Sequence, residues 1–302
     1  MQKDPKLAIF GAISIIVAAS LWGLDSVVLT PKLFNLNLGL VVFLLHLIPF
    51  ALMQVVLFKE YEKLNEFSIS DWLYLSLIAI FGGAVGTLAI VKALYLVNFT
   101  ALSVVVILQK LQPVFAIIMA AIILKEKIKK DFILWASIAI IAAYFVSFGF
   151  NLPNFKTGSN TIYAVLYALL AAFSFGSSTV FGKKILEKYS FPTVSFYRYG
   201  LTSILMFIYV LATAQLNLSG ISKQNWLIFL IIAFTTGSGA LFLYYWGLKK
   251  VKASAATIFE LAFPISAIVF DYFINQTHLS IVQWLAILIM LAAITKISLL
   301  QD

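Results

Sequence analysis

The sequence predicts an all-α integral membrane protein, with ten transmembrane helices arranged as two inverted five-helix repeats. Three observations predict it. First, 63% of the 302 residues are hydrophobic, only 11% are charged, and the mean hydropathy is +1.03. A soluble domain is roughly half apolar and about a quarter charged, so lipid must be the solvent for most of this chain. Second, the apolar runs are continuous rather than alternating, which selects helices over a β-barrel. Third, the two halves of the chain match each other in sequence.

Taken in order, the apolar segments span 7–29, 38–58, 71–96, 100–124, 132–150, 161–182, 192–215, 224–248, 254–275 and 281–299. Each is about long enough to cross a hydrocarbon core of ~30 Å as a helix. The connecting loops are too short to fold as separate domains. The first segment, preceded by Lys3 and Lys6, has the outline of a signal peptide. Its counterpart later in the chain argues for a retained helix instead.

The internal match runs throughout. "SDWLYLSLIAIFGG" (70–83) aligns with "QNWLIFLIIAFTTG" (224–237), "ASLWGLDSV" (19–27) with "AFSFGSSTV" (172–180), and "LQKLQPVFA" (108–116) with "FELAFPISA" (259–267). The spacing stays between about 151 and 154 residues, which divides the chain into repeats 1–150 and 151–302. Five helices per repeat is an odd number, so the second copy enters the membrane upside down. Lysines agree with this. Lys125, Lys127, Lys129, Lys130, Lys183, Lys184, Lys188, Lys249, Lys250 and Lys252 fall on one side, and only Lys32, Lys156 and Lys223 in the loops of the other. The bias places both termini in the cytoplasm and the protein in the inner or plasma membrane. Inverted repeats characterise secondary transporters, whose site lies near the midplane between the repeats.

The order and spacing of these motifs, with "LWG" in the first helix, "LQP" and its partner in the fourth and ninth, and "LKEK" after the fourth, resemble the drug/metabolite transporter superfamily, in particular its EamA-type permeases. The resemblance implies a central cavity lined chiefly by the first four helices of each repeat. It implies export or exchange of amino acids, other small metabolites, nucleotide sugars or organic cations. The family's acid after the proline helix is Glu126 here, but Thr277 occupies the second-half position. Its arginine in the second helix of a repeat is Arg198, with His46 in the first half.

Polar residues inside apolar runs are the candidate site. Lys110 lies ten residues beyond Thr100, roughly 15 Å deep at 1.5 Å per residue. That depth is too great for snorkelling, and an uncompensated cation there costs from about 3 to more than 10 kcal/mol. Lys110 must therefore face water, a ligand or an acid. Glu260 aligns with Gln109 beside it and is expected either to carry a proton or substrate amine, or to pair with Lys110. Asp25 is expected at the outer mouth and Trp22 in the cavity, with Lys92 as an interfacial anchor or partner of Asp25. His46, Arg198 and Tyr245 are further candidates, Arg198 also being able to snorkel to the cytoplasmic face. Pro113 and Pro264 are expected to act as hinges by freeing the carbonyls of Gln109 and Glu260.

The intramembrane charges nearly balance, Lys92, Lys110 and Arg198 against Asp25, Glu260 and Asp271. This favours a zwitterion, and so a secondary transporter exporting an amino acid or related metabolite, with protons as a possible coupling ion. Organic-cation efflux and nucleotide-sugar exchange are the alternatives. An embedded enzyme or a receptor is the non-transport alternative, but no catalytic constellation supports the first. With no cysteine and only His46 and His278, no metal or cofactor is expected. A monomer in lipid, without nucleic acid, completes the expectation.

Overall fold

The structure, a computed structural model, describes residues 5–96, 108–152, 161–276 and 278–300. Among these residues all regular structure is helical, and nine helices are long and apolar enough to span a membrane. The apolar helix Gln112–Ile123 is the described part of the segment expected at 100–124. Its expected start near Thr100, like Lys3, Lys156 and Thr277, lies outside the described residues.

Helix α1 (Pro5–Leu24) passes into a π turn, Asp25–Leu29, and a 3-10 turn, Thr30–Leu33. Helix α2 (Leu38–Leu57) continues as a 3-10 stretch, Phe58–Glu66, through what the sequence suggests is loop. The third crossing is α3 (Ile69–Leu77), a π stretch Ile78–Val85, and α4 (Gly86–Leu96). Then come α5 (Gln112–Ile123), α6 (Lys130–Phe148), α7 (Thr161–Leu186) and α8 (Phe191–Ala212). The eighth crossing again interrupts itself with a π turn: α9 (Lys223–Ile232), Ala233–Gly237, and α10 (Ser238–Leu248). The ninth is α11 (Ala253–Phe259) and α12 (Ala262–Asn275), and α13 (Ile281–Leu299) is last.

Local chemistry explains several boundaries. Ser68 Oγ accepts from Asp71 N at 3.3 Å, and Asp71 Oδ2 accepts from Ser68 N at 2.9 Å, a reciprocal cap that starts α3. Ser222 and Asn225 start α9 in the same way, at 3.1 Å each. Ahead of each site proline the chain tightens. Leu111 N bonds Leu108 O at 3.1 Å and Val114 N bonds Leu111 O at 2.9 Å. In the later segment Leu261 N bonds Ile258 O at 3.1 Å and Phe263 N bonds Glu260 O at 2.9 Å. The Glu260 carbonyl is therefore not freed by Pro264, contrary to expectation. The i→i−3 turn consumes it.

Packing pairs segments across the chain. Helix α1 lies against α10 and α12, and α7 lies against α4 and α5, while α2 packs on α8 and α6 on α13. Two glycines permit the closest approaches. A Cβ on Gly176 would lie 2.7 Å from Gln112 O and 3.0 Å from Ala116 N. One on Gly23 would lie 2.9 Å from Phe263 O and 2.8 Å from Ala267 N. Each glycine is thus a notch seated on a proline break, and small residues of this kind let membrane helices touch at the backbone.

The faces are tied by matching bonds. Asp71 Oδ2 accepts from Lys188 Nζ at 2.5 Å and from Tyr189 Oη at 2.9 Å. The bond to Asp71 raises the Lys188 ammonium pKa above its ordinary value. Asn225, 154 residues after Asp71, donates to Asn35 Oδ1 at 3.1 Å and Lys32 O at 3.0 Å. On the lysine-rich side Lys183 Nζ donates to Leu248 O at 2.8 Å and Lys249 O at 3.0 Å. Glu126 accepts from Ala253 N at 2.7 Å and from Ser254 N at 3.2 Å and Oγ at 2.5 Å. The short connection between α10 and α11 is therefore gripped at both ends.

Candidate functional site

A cavity of about 370 Å³ lies where these interruptions meet. The end of α1 supplies Trp22 and its π turn Asp25. Helix α2 supplies His46, the third crossing Gly82 and Thr87, and the proline segment Gln109, Lys110, Gln112 and Pro113. From later in the chain come Phe175, Ser178 and Thr179 of α7, Arg198 and Tyr199 of α8, and Thr236, Tyr244 and Tyr245 of the eighth crossing. Glu260, Phe263 and Pro264 close it. All eight binding candidates and both prolines named from the sequence line this one space. Lys92 does not, and it is exposed. No ion pair joins Lys92 to Asp25, whose carboxylate instead accepts from Thr30 Oγ1 at 3.0 Å.

The charges are held by neutral groups. Arg198 Nη1 donates to Tyr245 Oη at 2.8 Å and Nη2 to Gly82 O at 3.0 Å, which turns the side chain inward rather than toward the cytoplasmic face. A Cβ at Gly82 would collide with Ser178 Oγ and lie 3.0 Å from both Ser178 Cβ and Nη2, so the glycine leaves room for this approach. Glu260 accepts from Tyr244 Oη at 2.7 Å and from Gln112 Nε2 at 2.8 Å, and Thr179 Oγ1 stands 3.4 Å from its carboxylate. Lys110 is 8% exposed, with Nζ 5.3 Å from the centre of the Phe263 ring. The expected alternative of a Lys110–Glu260 pair is not formed, because Glu260 is saturated by amide and hydroxyl donors and Lys110 turns to the ring. Among the described residues none of Asp25, Lys110, Arg198 and Glu260 forms a salt bridge. Asp25 Oδ1, Arg198 Nε and Thr236 Oγ1 are buried with no hydrogen-bond partner.

The remaining wall is aromatic. Trp22 and Tyr244 have ring centroids 5.4 Å apart, and Tyr244 and Tyr245 are 5.7 Å apart, a strip of mutually tilted rings whose Tyr245 end is fully buried. His46 stands 5.5 Å from Tyr199, and its Nδ1 lies 2.8 Å from Val42 O. A carbonyl can only accept, so Nδ1 carries the hydrogen. Among the described residues no cluster of His, Asp and Glu could hold a metal ion.

Sequence reasoning missed Gln112, Thr179, Tyr199 and Thr236, and it did not single out Tyr244 or Phe175. Gln112 carried a signal, being a polar residue next to Pro113 in an apolar run. Thr179 did not, since a lone threonine in a membrane helix ordinarily bonds its own backbone.

Comparison with known proteins agrees with this architecture. The sequence model of the EamA-like transporter family matches residues 9–148 and 162–299. The chain belongs to that family. It is 49% identical over 290 residues to the riboflavin transporter ImpX of Fusobacterium nucleatum, covering 95% of this chain and 97% of that protein. An uncharacterized transporter of Clostridium kluyveri is 28% identical over 169 residues, 55% of this chain and 53% of its own. A solved crystal structure superposes with a TM-score of 0.75 at 15% identity, covering 96% of this chain and 97% of that one, and shares the fold. This EamA-family protein is accordingly a multi-pass membrane transporter.

Proposed function

We propose that this EamA-family transporter carries riboflavin, or a closely related flavin, across the membrane by alternating access between two inverted five-helix repeats. The observation that carries the reading is a single cavity lined by the rings of Trp22 and Tyr244 together with the polar residues Asp25, Gln109, Arg198 and Thr236. A flavin combines a flat aromatic tricycle with a polar edge and a chain of hydroxyls. Stacking against rings supports the first, and isolated donors and acceptors support the others. The relationship to the Fusobacterium riboflavin transporter supports the same substrate. About 370 Å³ falls within the usual ~300–1,000 Å³ range of small-molecule sites.

An amino acid, the substrate that charge balance alone favours, would leave the aromatic strip without a partner. The exchanged pairings α1 with α10 and α12, and α7 with α4 and α5, support the inverted duplication. The lysine bias supports a cytoplasmic location for both termini.

The test is flavin fluorescence in liposomes containing the purified full chain. Exchange of internal for external riboflavin is expected, inhibited by unlabelled flavins and untouched by amino acids or organic cations. Exchange of an amino acid without riboflavin would overturn the assignment.

A further inference from the structure

Glu260 sits among hydroxyl groups that can be hydrogen-bonded in either of two directions. Tyr244 Oη is 2.7 Å from Glu260 Oε1 and 2.7 Å from Thr179 Oγ1, and Thr179 Oγ1 lies 3.3 Å from the carbonyl of Phe175. With Glu260 ionised, Thr179 donates to Tyr244 and Tyr244 donates to Oε1. With a proton on Oε1, every link reverses: Glu260 donates to Tyr244, Tyr244 to Thr179, and Thr179 to Phe175 O. Gln112 donates to Oε2 at 2.8 Å in both states. Neither the Glu260 carboxyl nor the hydroxyls of Tyr244 and Thr179 are orphaned in either arrangement, so the penalty for an unmade buried bond does not arise among them.

From this geometry we infer that Glu260 is a proton-carrying site that couples transport to a proton gradient, with Tyr244 and Thr179 as hydroxyls that reorient to satisfy both of its protonation states. The inference rests on the flavin-carrier reading of the same cavity. On loading, a proton from cavity water bonds to Oε1. On release it returns to water at the other face, and no covalent bond other than O–H changes. The surrounding charges leave the carboxyl available. Arg198 of α8 is engaged by Tyr245 and Gly82, and Lys110, just before α5, by the Phe263 ring. Asp25 after α1 is held by Thr30, His46 of α2 by Val42 O, and Tyr199 of α8 stands against His46. The Glu260 contacts draw on four crossings: Gln112 from the fourth, Thr179 from the sixth, Tyr244 from the eighth, and its own. Losing or gaining its charge therefore acts on helices that must shift against each other when access alternates.

The experiment uses the full chain in liposomes with the membrane potential clamped and riboflavin at equal concentration on both sides. One proton coupled across one pH unit supports a riboflavin ratio of about tenfold. Wild type is expected to approach that ratio, with Glu260→Gln falling to about one and Glu260→Asp restoring a gradient response. Tyr244→Phe keeps the ring packing but removes the hydroxyl that bonds Glu260 in both states, and is expected to slow gradient-driven flux by about thirtyfold, the effect of one lost bond to a charged group. It carries the test should Glu260→Gln not fold. Wild type that exchanges riboflavin yet ignores the gradient overturns the coupling and leaves the flavin reading standing. A gradient response retained by Glu260→Gln overturns the assignment to Glu260. Absence of any riboflavin flux in wild type overturns both readings.

Discussion

Tyr244 and Tyr245 are consecutive in α10, and their phenols take opposite charges: Tyr244 donates to Glu260 at 2.7 Å, while Tyr245 accepts from Arg198 at 2.8 Å. Neighbouring helical residues point about 100° apart, so one turn of backbone addresses two separate walls. The cavity keeps a cation and an anion in one space without letting them neutralise each other.

Arg198 should not tolerate lysine. A guanidinium forks to Tyr245 Oη and Gly82 O, which an ammonium on a different stem cannot reproduce. Losing one charge-assisted bond costs about 2 kcal/mol, so Arg198→Lys should lower the stability of the protein by about that amount. Thermal unfolding in detergent measures this, and an unchanged midpoint would show that the fork is dispensable.

Gly176→Ala should destabilise the protein by displacing the proline segment it seats. The added methyl would meet Gln112 O at 2.7 Å, and overpacking of this kind costs about 1–3 kcal/mol. Thermal unfolding in detergent should move downward for Gly176→Ala and for Gly23→Ala. Gly220→Ala, with nothing within 4 Å of the added Cβ, should unfold at the wild-type temperature.

Removing Glu126 should loosen the lysine-rich face. Glu126→Ala strips acceptors from Ala253 N, Ser254 N and Ser254 Oγ, and loss of a helix cap costs about 1 kcal/mol. Faster proteolysis at the connection 249–252 is the expected readout, with Lys183→Met acting in the same direction at Leu248 O and Lys249 O. Resistance equal to wild type in both would show that the grip is dispensable.

The chain contains no cysteine, so single introduced thiols report topology cleanly. Lys127 and His278 occupy corresponding places in the two halves. Lys127→Cys and His278→Cys should react with an impermeant maleimide from opposite sides of the membrane. Labelling from the same side would refute the inversion.

The membrane-spanning helices and most of the cavity were legible in the sequence because burying charge in lipid is expensive. Lys110, Arg198, Asp25 and Glu260 stand out against hydrocarbon, and all four line the cavity. What those charges bond to was not legible. Lys110 and Glu260 are adjacent after alignment, but the choice of Phe263 over Glu260 depends on side-chain direction across two separate helices. The π interruptions Ile78–Val85 and Ala233–Gly237 were hidden too, since an extra residue in a turn leaves an apolar run looking unbroken. The serine caps of α3 and α9 were within reach: "SISD" at 68–71 and "SKQN" at 222–225 carry the spacing of a capping box with shorter acids and amides.

The glycine seats bind the two parts of the chain into one another. Gly23 rests on the proline break of the ninth crossing and Gly176 on that of the fourth, so each part supplies the notch for the other's bend. Neither residues 5–152 nor residues 161–300 possess a finished chamber. Expressed as separate polypeptides, the two should be obligate mates, clasping into a working carrier together and degraded when made apart.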